Sequence, residues 1–438
     1  MPRSSLALFA VPLACWLVAC DGEGAAQGGG GDGAGGDGAG GEGAAGGGGT
    51  TSKPTCAGEP SGSATPDARA DLAGAFAPDG LSVVFFGGDV ATVVCGSTPA
   101  REHVDETWVL DVACGGWTLL ELDVAPAARS RHAMALDVAR GRALLFGGRT
   151  REASMGPYDL FDDVWAFDFE SQTWAEIATT GDGPSPRYNA TAVVLGDFLY
   201  VFGGSDDPSS TVFAPSDELF ALDLATNEWV NATPATSPPA RLFHTMAGEP
   251  AAGKLYVASG GDENAFVGPF FSDVWEYDVA TAAWTEVSAS FGGVEDPARI
   301  KPGLLAEPSD DGVRLHLFGG HDDGVLGNRN DTNVLDVGAS SWRTHAGDVF
   351  NAPASGQCDF PTDFTTTDLA MPERRSAFGF APHPSGAAAV VFGGDTDCGR
   401  ASDAWWYDAT TETWEPIRET PVGLSCPRFS EQCSGLCG

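Results

Sequence analysis

Basic side chains are scarce in this sequence: 23 Lys and Arg stand against 61 Asp and Glu over 438 residues, a formal net charge of −38. That balance opposes binding to nucleic acid or to an anionic membrane surface, and favours solubility or cation uptake. Metal-binding and catalytic spacings are missing too. No cysteine pair has the CxxC spacing of a zinc site and no stretch matches an EF-hand loop. The seven histidines (His103, His132, His244, His316, His321, His345, His383) are dispersed, without a His-x-His or HxxEH pair. No catalytic residue, metal ligand or cofactor is therefore assigned. One apolar run, residues 6–19, follows the lone basic residue Arg3; it is too short to span a bilayer comfortably and reads as an export signal.

The end of that run, Leu17-Val18-Ala19-Cys20, resembles the lipobox of bacterial lipoproteins. The resemblance implies cleavage that leaves Cys20 at the new N-terminus carrying lipid. Asp21 follows, at a position that resembles the inner-membrane retention signal of enteric bacteria. Residues 22–51 are almost entirely Gly and Ala with scattered Asp and Glu, which cannot bury a core and behave as flexible coil. Their typical reach is on the order of 30 Å. The expected organisation is a signal peptide at 1–19, a lipidated cysteine and tether at 20–55, one folded domain at 56–425 and a cysteine-containing tail at 426–438. Such a protein would sit on a bacterial cell envelope as a monomer, touching membrane only through its lipid.

The folded part is organised by a unit that recurs six times. Each copy carries a short apolar run ending in a glycine doublet: Gly87-Gly88, Gly147-Gly148, Gly203-Gly204, Gly260-Gly261, Gly319-Gly320 and Gly393-Gly394. A stretch such as Asp163-Val-Trp-Ala-Phe-Asp168 follows, and the unit closes on a tryptophan: Trp117, Trp174, Trp229, Trp284, Trp342 and Trp414. Short apolar, β-branched runs bounded by Gly, Asp and Pro are strand signals, and continuous ones suit strands covered on both faces. An arginine precedes each first strand (Arg69, Arg131, Arg187, Arg241, Arg299, Arg375). Three copies depart from the pattern, with Phe220 and Asn333 at tryptophan positions and Ser259 where a phenylalanine precedes the other doublets.

Four short strands per unit, the Gly-Gly doublet and the closing tryptophan resemble the Kelch family over residues 69–417. The resemblance implies an all-β, six-bladed propeller, with seven blades as the alternative. The doublets read as positions of positive φ and close backbone approach. The six closing tryptophans read as wedges between blades; burying roughly 150–250 Å² each contributes a gross 4–6 kcal/mol or so. For the arginines two readings stand: pairing with acidic or backbone groups between blades, or a ring of guanidiniums at the channel mouth that holds an anion. Some members of the class are copper oxidases such as galactose oxidase, whose tyrosine, histidine and crosslinked-cysteine arrangement has no recognisable counterpart here. Others resemble sialic acid mutarotases, whose sites lack a short signature.

Setting aside Cys15 and Cys20, an even number of cysteines remains, which in an exported protein points to disulfides. Cys358 and Cys398 fall in loops expected on one face, and a bridge between them is expected. Cys426, Cys433 and Cys437 are placed near Cys56 and Cys95, where a clasp across the ring closure would suit the topology. Cys114 is placed on the opposite side, so a local Cys95–Cys114 bridge is geometrically awkward; these pairings stay open. Carboxylates after the doublets (Asp89, Asp206, Asp207, Asp262, Glu263, Asp322, Asp323, Asp395, Asp397) read as solvated loop charges or as calcium ligands. The functional expectation is a non-enzymatic, envelope-anchored scaffold that presents its loop-rich face to a protein or glycan. The alternative is an exported sugar isomerase or oxidase with a site at the channel mouth.

Overall fold

The computed structural model describes residues 52–418, apart from 61, 63, 92–101, 153–155, 210–211, 266, 289–297, 323–327, 347–369 and 397–398. Cys20, the signal run, most of the tether, the tail, and the cysteines at 95, 358 and 398 lie outside the described residues.

Six antiparallel sheets follow one another along the chain, each built from four consecutive long strands. Blade one uses Ala73–Phe76, Ser82–Phe86, Thr107–Asp111 and Trp117–Leu120. The innermost strands of the next five blades are Ala133–Asp137, Thr191–Leu195, Thr245–Glu249, Gly303–Ser309 and Gly379–Pro382. Each innermost strand touches the next, and the sixth returns to the first, so the sheets close into a propeller around a central channel. Blade three carries an extra outer strand, Thr180–Gly181, pairing in parallel with Glu228 and Trp229.

Local chemistry explains the repeat. The second strand of each blade is apolar and covered on both faces; Val83, Val84, Phe85 and Phe86 are all buried. The third-to-fourth-strand turn opens on an aspartate whose carboxylate accepts backbone N–H groups two and three residues on, as Asp111, Asp223 and Asp408 do. This Asx geometry is why an aspartate recurs there.

The tryptophans pack between blades. Trp117 of blade one lies 4.5 Å from Phe392 of blade six, Trp174 of blade two 5.4 Å from Phe86 of blade one, and Trp414 of blade six 4.4 Å from Phe318 of blade five. The partner is each time the phenylalanine directly before the glycine doublet of the preceding blade. Blade four has Ala258 at the equivalent position, in one buried apolar cluster with Trp342.

The doublets are the sharpest turns of the ring. Gly87 and Gly88 have φ of 63° and 99°, and a Cβ on Gly88 would stand 3.0 Å from the Ala70 carbonyl and the Leu72 side chain. Blade four corrects the sequence reading: its left-handed pair is Ser259 (φ 62°) and Gly260 (φ 101°), and Gly261 instead pairs with Leu242 in an isolated bridge. Adjacent glycines at 260 and 261 concealed a one-residue shift, because serine occupies the first left-handed position at a steric cost of about 1–2 kcal/mol.

Among the described residues no strand is exchanged at the closure between blades six and one; side chains and backbone hold it. The Gly394 N–H donates to the Arg69 carbonyl at 2.8 Å, and the Asp71 N–H to the Ala377 carbonyl at 2.7 Å. Arg400 donates to the Asp89 carboxylate and to the Ala91 carbonyl while its Nε reaches Asp395. On the blade-one side, a Cys56–Cys114 disulfide, with Cα atoms 4.7 Å apart, ties the segment before blade one to that blade's third-to-fourth-strand turn. Cys56 is therefore not held for the tail cysteines: the segment before blade one runs along its outer edge, where Gly62 meets the Trp117 carbonyl. Arg418 of blade six bridges the Gly115 carbonyl and Thr65 at the same place.

Candidate functional site

The repeated arginines resolve first, because they decide which cations remain for binding. Arg69, Arg129, Arg187, Arg241, Arg299 and Arg375 are each almost fully buried. Each donates to the carbonyl of the first doublet residue in its own blade (Gly87, Gly147, Gly203, Ser259, Gly319, Gly393). Each also pairs with the carboxylate that opens the third strand: Glu106, Asp163, Glu218, Asp273, Asp331 and Asp403. The same carboxylate accepts the indole N–H two residues on in four blades, from Trp108, Trp165, Trp275 and Trp405. In blade five the Asn333 amide takes that place at 2.8 Å, and in blade three the Phe220 ring lies under Arg187. Burial pushes the Asp331 carboxyl upward, but Arg299 and Arg329 outweigh it and hold it below the usual value. The pairing is thus within blades, while the arginine backbone carbonyls accept N–H groups from the preceding blade.

Arg131, chosen from the sequence as the blade-two member, is not part of this set. Arg129 is, at the 18-residue separation from its doublet that Arg69, Arg241 and Arg375 also show. Two arginines two positions apart hid the register; spacing measured back from the doublet would have revealed it, and would equally have exposed Ser259.

Arg131 belongs to a second ring, two residues on from the buried arginines: Asp71, Arg131, Asn189, Phe243, Lys301 and Ala377. All six adopt left-handed φ between 54° and 59°, and N–H groups donate around the circle to the preceding carbonyl at 2.7–2.9 Å, as from Asp71, Arg131, Asn189 and Lys301. This iris narrows the channel at the loop end. Across it Arg131 Nε meets Asp71 Oδ2 at 2.9 Å and Lys301 Nζ meets Asp71 Oδ1 at 3.2 Å. Both cations lie over the Phe243 ring, at 5.2 and 5.1 Å.

Beside the iris, Arg149 is clamped between Tyr158 and Tyr188, 3.8 and 4.4 Å from their ring centroids. It makes no ion pair among the described residues. Burial, followed by the neighbouring Arg131 charge, pulls its pKa down to about 9. Arg151 covers the other part of Tyr158, and His103 bridges Thr150 and Ser130 beside it. In a chain so poor in basic residues, this concentration of cations and aromatic faces marks the loop end of the axis as the candidate site. Sequence reasoning missed Arg149, Lys301, Tyr158 and Tyr188, since none of them repeats.

The loop carboxylates are partly spoken for. Asp89 and Asp395 bind Arg400, Asp322 binds Arg329, and Asp206 accepts the Ser185 hydroxyl. Among the described residues no three metal-ligating side chains gather.

His132 and His244 are core groups, edge-on to Phe86 and Phe202. Burial, reinforced by Arg129 and Arg241 respectively, lowers both to about 3. The unfolded chain takes up these protons below about pH 6.5, whereas the fold keeps both rings neutral. Their stabilisation is therefore fully present above pH 6.5 and drains away as pH falls towards 3, by roughly 1.4 kcal/mol per histidine per pH unit. Denaturant titrations at pH 7 and pH 5 should show a shallower acid loss for His132→Gln than for the natural protein. Equal losses would contradict this assignment.

The chain resembles known proteins in the same region. A model of the KLHDC2/KLHL20/DRC7 Kelch-repeats domain matches residues 59–302. An N-(sulfonatooxy)prop-2-enimidothioate sulfolyase of Thlaspi arvense is 28% identical over 319 residues, 68% of this chain and 81% of that protein. Acyl-CoA-binding domain-containing protein 5 of Arabidopsis thaliana is 30% identical over 183 residues, 41% of this chain and 26% of that protein. The human Kelch domain-containing protein 3 is 28% identical over 203 residues, 44% of this chain and 48% of that protein. The chain thus spans half or less of the last two. With a closed ring of six blades and a matching model over more than half of the sequence, the chain belongs to the Kelch-repeat family.

Proposed function

We propose that this Kelch propeller is a non-enzymatic scaffold that captures a protein or glycan partner on its loop face, held at a bacterial cell envelope by lipid on Cys20. The supporting observation is the partition of cations. The six repeated arginines are consumed by buried pairs, whereas Arg149, itself 5% exposed, is held by two tyrosines with no ion pair among the described residues, beside Arg131 and Lys301. Cation–aromatic clusters of this kind are enriched at binding hot spots. Val212 and Val267, exposed at 53% and 79% on the loops of blades three and four, supply apolar surface at the same end. The enzyme reading has one support, the sulfolyase relative that spans most of the propeller.

The test is capture from envelope extracts by the purified chain, followed by identification of what is retained. Arg149→Gln and Val267→Glu are expected to lower retention at least tenfold. Leu81→Glu, on the hairpin at the opposite end, should leave it unchanged. Loss in all three variants, or in none, would remove the loop face from the account.

A further inference from the structure

Beneath the iris the channel opens into a cavity of about 540 Å³, walled chiefly by apolar groups of the innermost strands such as Met134, Ala192, Val193, Leu304 and Phe380. That volume lies within the roughly 300–1,000 Å³ range of small-molecule sites. Apolar cavities bind apolar molecules more readily than water, for want of hydrogen-bonding partners. The far end reaches the first-to-second-strand turns at Val138, Pro250, Pro308 and Pro384, away from the loop face. At the near end it adjoins a polar pocket of about 140 Å³ inside the iris, sharing the walls His132, Ala190 and Thr191.

The small pocket holds donors without acceptors. Arg131 is 6% exposed, yet among the described residues its buried Nη1 has no hydrogen-bond partner, and the buried Asn189 Nδ2 also lacks one. Both residues line the pocket, together with Asp71, Phe243 and Lys301. The Asp71 carboxylate is shared between Arg131 Nε and Lys301 Nζ and leaves Arg131 Nη1 uncontacted. A buried guanidinium N–H left unpaired is costly, so an acceptor carrying negative charge is the complement of this pocket. Glu249, the acidic group on the wall of the larger cavity, is turned to the backbone N–H of Ala251.

We infer that the channel binds a long-chain carboxylate, its head accepting from Arg131 Nη1 and Asn189 Nδ2 in the iris and its aliphatic tail lying in the cavity below. The head pocket shares Arg131 and Lys301 with the cation cluster at the loop end, whereas the tail cavity reaches the opposite end of the ring. Head and tail are recognised by different walls, so each can be removed alone.

Calorimetric titration of the full chain with dodecanoate, acetate and dodecyltrimethylammonium tests both halves. Dodecanoate is expected to bind saturably at one per chain and at least tenfold more tightly than acetate, with no saturable binding of the cationic amphiphile. Arg131→Gln should weaken dodecanoate about 10–100-fold, the loss of a charge-assisted hydrogen bond. Asn189→Gly removes the second donor at a left-handed position that glycine adopts freely, and should weaken it several-fold even if Arg131→Gln fails to fold. Ala192→Phe, which fills the cavity, should abolish dodecanoate binding. Dodecanoate binding no tighter than acetate, binding unchanged in Arg131→Gln and Asn189→Gly, or equal saturable binding of the cationic amphiphile would each overturn the inference.

Discussion

Arg375→Ala is expected to destabilise the fold by about 3–5 kcal/mol, the penalty for leaving one partner of a buried ion pair uncompensated. Arg375 and Asp403 have no exposed side-chain surface and meet at 2.6 Å. The guanidinium also donates to the Gly393 and Glu373 carbonyls, and Asp403 accepts the Trp405 indole N–H. Alanine would strip Asp403 of its cation in a place water does not reach. Equilibrium urea unfolding measures the loss directly. Replacing Arg187 in the same way should cost less, since its partner Glu218 is 42% exposed and 3.3 Å away. Equal losses at the two sites would mean that burial of the carboxylate is not what sets the cost.

Trp117→Ala should cost a similar 3–5 kcal/mol, the range for truncating a large buried aromatic side chain. Trp117 is 0% exposed and packs on Phe392 across the closure, with Phe85 and Trp108 on its own blade. Its removal therefore leaves a cavity at the only joint where the chain is not continuous from blade to blade. Trp342→Ala is expected to cost less, since Ala258 stands across its joint where the other blades place phenylalanine. Thermal unfolding of both variants would rank the joints. A larger effect at Trp342 would contradict the wedge account.

What repeats was legible in the sequence and what does not repeat was not. The six blades, the wedging tryptophans and the aspartates of the outer turns follow from local propensity multiplied sixfold, so each copy corrects errors in the others. Register failed only where the repeat itself was ambiguous: at Arg129 and Arg131, both arginines, and at Ser259, Gly260 and Gly261, where two glycines followed a serine. The candidate site was illegible for the converse reason. Asp71, Arg131, Asn189, Phe243, Lys301 and Ala377 share one backbone conformation and one position in the ring, yet six different side chains stand there. Arg149 and Tyr158 come from one loop of blade two and meet Tyr188, at the start of blade three, only when the two blades pack. Cys56 and Cys114 likewise are joined by the path of a segment that carries no strand pattern.

The buried arginines fall into six that hold the ring and a few, Arg149 and Arg131 among them, proposed to face a ligand. Side-by-side unfolding of Arg149→Gln and Arg375→Ala, with partner capture measured on the same samples, tests that division most directly. The division predicts that Arg149→Gln keeps or gains stability, since an unpaired guanidinium is costly to bury, while losing capture. Arg375→Ala should lose stability by several kcal/mol yet retain capture while folded. An Arg149→Gln protein that unfolds as readily as Arg375→Ala would contradict it.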